Sequence, residues 1–127
     1  MSRFRALVDD AKSRIQEVSR EEVKQKLDTR EPFYLVDVRE ESNWSEGHIA
    51  GASHLNKGII ELKIEHEIPD AQAEIVLYCG GGSRAALAAE SLQRMGYNNV
   101  KSLRGGFRGW KDAGYPTELR QGKSEEV

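Results

Sequence analysis

A single cysteine, Cys79, stands in a chain of 127 residues, so no internal disulfide can form and every cysteine-rich zinc pattern is excluded. If its sulfur reacts, it does so without a resolving thiol in the same chain. Long apolar runs are also missing, since none approaches the ~20 residues that span a bilayer. An excess of one charge is missing too. Lys plus Arg number 19 and Asp plus Glu 21, a formal charge of −2, which offers no net pull toward a polyanion and makes nucleic acid an unexpected partner. The opening residues place Arg5, Asp9 and Asp10 where a secretory leader needs an apolar core, and the acids run against an organelle transit peptide. A cytoplasmic protein that contacts no membrane is therefore expected. What is present is 38% hydrophobic and 31% charged residues of balanced sign, the composition of a globular domain rather than a disordered chain. The length suits one domain that buries roughly two-thirds of its unfolded surface, and no repeat or linker divides it.

Phe4, Leu7, Val8, Ala11 and Ile15 recur at helical spacing and predict an amphipathic helix at the N-terminus. Ser19 with Glu22 forms an S-x-x-E capping box, with Val23 and Leu27 as the apolar face of a short second helix stopped by Pro32. Residues 33–38 read as a buried strand and 40–52 as a polar loop. A brief strand over 52–55 and a helix over 59–68, stopped by Pro69, follow. Residues 74–78 form a second buried strand, 83–95 a helix with Gly96 at C′, 100–103 a third strand and 107–113 a short helix. The order predicts an α/β fold with an open, largely parallel sheet, in which ligands gather at the carboxyl ends of the strands. The boundaries read are an appended helix over 1–17, a domain over 18–117 and a polar, frayed tail over 118–127.

Cys79 stands at one such strand end. A free cysteine, with pKa ~8.5, is only a few per cent thiolate at neutral pH, so a nucleophilic cysteine needs help from its surroundings. Here Gly80, Gly81, Gly82 and Ser83 lead into a helix, so loop N–H groups and a helix N-terminus can converge on an anion in the bend. The glycines permit the positive φ that such a nest requires. Ser83 is placed to cap the helix. Arg84 in its first turn opposes the macrodipole by ~0.3–1 kcal/mol, which suits a residue that serves an anion. Against this stands a plainer reading, in which Cys79 is a small buried hydrophobe before a tight turn.

The segment from Cys79 to Arg84 resembles the C-x-x-G-x-R active loop of rhodanese-domain sulfurtransferases. Two further stretches agree: Asp37-Val38-Arg39-Glu40 followed by Gly47-His48-Ile49-Ala50-Gly51-Ala52, and Gly105-Gly106 followed by Trp110, Gly114 and Pro116. The likeness runs over about residues 18–117 and leaves the N-terminal helix outside. It implies a rhodanese-like open sheet of about five mostly parallel strands flanked by helices. It also implies that Cys79 accepts a sulfane sulfur from thiosulfate, a polysulfide or a persulfide. The sulfur then passes to cyanide, a thiol or a partner protein, with no cofactor. Ala50 replaces a proline common in the family, a change to turn rigidity alone. No Lys or Arg occupies positions 80–83, so Arg84 is the one charge of the loop itself and thiosulfate, a dianion, is expected to bind weakly.

Asp37 and Arg39 are read as a buried ion pair that supports the loop rather than as reacting groups. His48 is read as a satisfied loop residue, and His48, His54 and His66 lack metal-ligand spacing, so no metal site is expected. Trp110 is expected to anchor its helix to the core. Trp44, in the polar loop, is a candidate surface contact for a partner. Two other functions compete with sulfur transfer. One is a cysteine-dependent phosphatase or arsenate reductase, whose loop is typically C-x5-R where this chain has four intervening residues. The other is a noncatalytic binding module of the same fold.

Overall fold

A computed structural model describes residues 2–119. In chain order the elements are α1 (Arg3–Lys12), β1 (Gln16–Val18), α2 (Arg20–Asp28), β2 (Tyr34–Asp37), α3 (Glu41–Glu46), β3 (His48–Ile49), β4 (Ser53–His54), α4 (Ile60–Glu67), β5 (Ile75–Tyr78), α5 (Ser83–Arg94), β6 (Val100–Leu103), α6 (Gly106–Asp112) and β7 (Thr117–Glu118). Five strands form one parallel sheet in the order β1-β6-β5-β2-β4. This is the α/β architecture expected from the alternating pattern. β5, the central strand, is buried along its whole length because helices cover both faces. Its side chains alternate: Ile75 and Leu77 pack with Ile64, Ala88 and Leu92 of α4 and α5, while Val76 and Tyr78 pack with Val23, Phe107 and Trp110 of α2 and α6.

Local signals act where they were read. Ser19 and Glu22 form both hydrogen bonds of the capping box at the start of α2, at 3.1 and 3.0 Å. Gly96 follows α5 at φ +102°, with its N–H on the Gln93 carbonyl and the Tyr97 N–H on that of Leu92, a Schellman stop. Trp110 is fully buried and its indole N–H donates to the Pro116 carbonyl at 2.8 Å.

Other expectations need correction. The stretch 40–52 is not merely a loop, since α3 and β3 lie in it. Trp44 is buried rather than a surface contact: its ring stacks on His48 with centroids 3.4 Å apart, a contact that one turn of α3 brings about. β3 pairs antiparallel with β7, so Glu118, read as the first tail residue, is paired with His48. Residues 120–127 of the expected tail lie outside the described residues. α1 ends at Lys12, short of Ile15, because the chain must enter β1 at Gln16. Its Val8 and Ala11 are fully buried and α1 packs on α5, whereas Phe4 and Leu7 stay 49% and 54% exposed. No helix among the described residues is long and apolar enough to cross a membrane.

Candidate active site

Cys79 follows directly on β5 at the carboxyl end of the sheet. Its side chain is almost enclosed, at 2% exposure, and packs partly with Ala85 and the apolar core. Even so, it lines a recess of about 200 Å³ with Phe4, Gly80, Gly81, Ser83, Arg84 and Arg108. Two backbone amides donate to Sγ, Gly82 at 3.1 Å and Ala85 at 3.4 Å. The first backbone bond of α5 is Ala86 N–H to the Gly82 carbonyl, so the Ala85 amide is free of the helix ladder and available to the sulfur. The positive end of the α5 macrodipole thus terminates at Sγ.

The three loop glycines serve different ends. Gly82 has φ +109° and is itself the N-cap of α5. Ser83 therefore does not cap the helix as expected; it is the first helical residue, and its hydroxyl accepts from Arg5 of α1 at 3.4 Å. The reason is steric, because the left-handed turn that tucks Sγ under the helix is a glycine conformation. Gly81 instead leaves room for the Arg108 guanidinium, which a Cβ there would push aside. At Gly80 the same guanidinium lies 3.2 Å from the position of a Cβ.

α6 holds the loop from the other side. Its Phe107 N–H donates to the Cys79 carbonyl at 2.8 Å and its Arg108 N–H to the Gly80 carbonyl at 3.1 Å. These bonds require the helix start to lie against the loop backbone, which only a residue without a side chain at 106 allows. The Gly105-Gly106 pair, read as a motif, is a docking device for the cysteine loop.

Asp37 and Arg39 form the buried pair that their strand-end position suggested. Arg39 Nη2 meets Asp37 Oδ2 at 2.8 Å, Nε bonds both carboxylate oxygens at 3.1 Å, and Nη2 also donates to the Gly47 carbonyl at 2.7 Å. Burial works against the guanidinium charge, and Asp37 outweighs it through hydrogen bonds and charge, so Arg39 is held protonated above its ordinary value. The guanidinium lies 4.3 Å from the Phe107 ring centre, which couples the pair to α6. Tyr78, one residue before the cysteine, accepts the Ile49 N–H at 3.0 Å. Burial first, and the nearby Asp37 charge second, push its phenol well above the ordinary value. His48 is a structural residue here, its Nδ1 3.0 Å from the Trp44 carbonyl.

A second recess, about 330 Å³, adjoins the first and shares Gly80, Arg84 and Arg108 with it. Arg39, Asn43, Glu46, Gly47, Phe107 and Lys111 complete it. Arg108 and Lys111 were not legible as site residues, because only the docking of α6 brings them to the cysteine. They correct the expectation that Arg84 is the sole charge at the loop.

Residues 19–113 match the family described as rhodanese-like domain. The chain belongs to that family. Among its relatives, this rhodanese-like domain is 37% identical over 91 residues to the thiosulfate sulfurtransferase GlpE of Pseudomonas entomophila, covering 72% of this chain and 81% of that protein. It is 32% identical over 108 residues to a sulfurtransferase of Allochromatium vinosum, covering 85% and 99%. Among solved structures, it superposes with TM-score 0.82 and 31% identity on a Rhodopseudomonas palustris protein of unknown function, described as a possible tyrosine phosphatase, over 93% of this chain and 96% of that one.

Proposed function

We propose that this rhodanese-like domain moves a sulfane sulfur from a donor to a thiophilic acceptor through a persulfide on Cys79. The observation that carries this reading is the pair of amides, Gly82 and Ala85, aimed at Sγ at 3.1 and 3.4 Å in a cysteine that lines the smaller recess. In the first half, the Cys79 thiolate attacks the outer sulfur of thiosulfate. A bond forms between Sγ and that sulfur, the donor's S–S bond breaks, and its electron pair leaves on sulfite. In the second half, an acceptor thiolate or cyanide attacks the outer sulfur and the electron pair returns to Sγ. Negative charge sits on Sγ at the start and the end of this ping-pong cycle, where the two amides stabilise it. Arg84 and Arg108 at the rim attract an anionic donor. The scheme needs no cofactor. The names of the Pseudomonas entomophila and Allochromatium vinosum relatives support sulfur transfer, and the first names thiosulfate as a donor.

Intact mass after exposure to thiosulfate or polysulfide tests the proposal. The expected result is a gain of one sulfur, removed by cyanide and absent in Cys79→Ser. Arg84→Ala is expected to lower kcat/KM for thiosulfate about 10–100-fold, the scale of one charge-assisted hydrogen bond. Hydrolysis of an aryl phosphate without sulfur uptake would support the phosphatase reading that the Rhodopseudomonas palustris protein's description suggests. Neither reaction would leave a binding module.

A further inference from the structure

Cys79 lines the smaller recess and not the larger. Thiosulfate is a few atoms in size and is accommodated by the smaller recess of about 200 Å³ around Cys79, yet a further 330 Å³ opens beside it across Gly80, Arg84 and Arg108. That volume is within the range of small-molecule sites. Its lining is unusual in charge for a chain of net charge −2. Arg84, Arg108 and Lys111 all border it, and among the described residues none of the three is in an ion pair. Arg39 also borders it, but its charge is already matched by Asp37. One acid, Glu46, lines the recess, so the cations outnumber it. The apolar part of the wall is the Phe107 ring, with the Lys111 ammonium 5.3 Å from its centre.

Resting on the sulfur-transfer reading, we propose that the larger recess is the acceptor subsite and takes a small thiol bearing a carboxylate. Lys111 and Arg108 hold the carboxylate, the methylene carbons lie against Phe107, and the thiolate reaches past Arg84 to the outer sulfur of the Cys79 persulfide. The acceptor sulfur bonds to that outer sulfur, the bond from it to Sγ breaks, and Sγ takes the electron pair. The products are the acceptor's persulfide anion and the Cys79 thiolate, with total charge conserved. Because donor and acceptor visit in turn, the cations shared by both recesses serve each anion in succession.

The test separates the two halves. The protein is first loaded with sulfur from thiosulfate or polysulfide and the persulfide confirmed by intact mass. Its discharge is then timed with 3-mercaptopropionate and with 2-mercaptoethanol at equal thiolate concentration. The expected result is a preference for the carboxylated thiol of about tenfold, as one charge-assisted contact supplies. Lys111→Gln and Arg108→Gln should each reduce that ratio, and Lys111→Arg should restore it. A wild-type ratio near one, or the same ratio in wild type, Lys111→Gln and Arg108→Gln, overturns the subsite and leaves sulfur transfer standing. Failure to load any sulfur overturns both.

Discussion

The carbonyl oxygen of Cys79 lies 2.5 Å from where a Cβ on Gly106 would stand, and the Gly80 carbonyl oxygen lies 2.7 Å from the same point. The cysteine loop and the start of α6 are therefore in backbone contact, with no side chain between them. This contact allows Phe107 and Arg108 to donate to the two loop carbonyls.

Gly106→Ala should break that arrangement. Gly106 has φ +57°, and the obstructing atoms are backbone, which cannot swing aside. Overpacking of this kind costs about 1–3 kcal/mol. We expect a lower urea midpoint together with slower sulfur uptake, as α6 is levered off the loop. A variant with the wild-type midpoint and uptake rate would show that the contact is dispensable.

Gly81 and Gly82 should separate into two phenotypes. Gly82→Ala meets no close atom but holds a left-handed φ of +109°, a strain of about 1–2 kcal/mol for a residue with a side chain. Its cost should appear as lost stability and as a displaced amide at Sγ. Gly81→Ala collides only with the end of the flexible Arg108 side chain. Its stability should stay near wild type while donor KM rises. Thermal melts and steady-state kinetics on both variants provide the comparison, and equal loss of stability in the two would refute it.

Removing one member of the buried pair should be worse than removing both. Asp37→Ala leaves the Arg39 guanidinium, 6% exposed, without its carboxylate, and breaking such a pair costs about 3–5 kcal/mol. Asp37→Leu with Arg39→Met should cost less than Asp37→Ala alone. A double-mutant cycle in urea reads the coupling. Sulfur uptake per folded molecule should fall far less than stability, as befits a support rather than a reacting group.

Tyr78 gives stability an alkaline limit. Its phenol is raised above the ordinary value of 10.0 in the folded chain, so the neutral form is favoured there. The unfolded chain begins to release this proton near pH 10 while the folded chain retains it. Stability from this group is therefore complete below about pH 10 and falls as pH rises through the higher folded value. Tyr78→Phe should flatten the alkaline decline. At neutral pH it should cost about 1–3 kcal/mol, because the buried Ile49 amide loses its acceptor. Urea midpoints for both proteins from neutral pH to about pH 11 decide the matter; parallel curves would remove Tyr78 from the account.

Much of this molecule is readable in one dimension. The run Ile75 to Tyr78 ending at Cys79, the glycines after it and the alanine-rich segment beyond specify a buried strand, a tight bend and a helix start. Each of these depends on neighbours in the chain. The Ser19–Glu22 box and the Gly96 stop are local in the same sense. Asp37 and Arg39, two residues apart at a strand end, were legible as an ion pair because their separation along the chain already places them together.

The remainder depends on residues that meet only when layers pack. Trp44 read as exposed because its neighbours are polar, and it is buried because α3 folds it onto His48. Gly82 rather than Ser83 caps α5, a choice made by the sign of φ that the sulfur's position demands. Arg108 lies 29 residues beyond Cys79 in the chain, and no local pattern ties it to the nucleophile. Its place at the loop arises from the parallel sheet, which sets the end of β6 beside the end of β5 and so delivers α6 to the cysteine. Local periodicity and turn chemistry are carried by adjacent residues and survive in a bare string of letters. The charge around the sulfur is assembled from distant segments, and the packing of the sheet is what brings those segments within reach of one another.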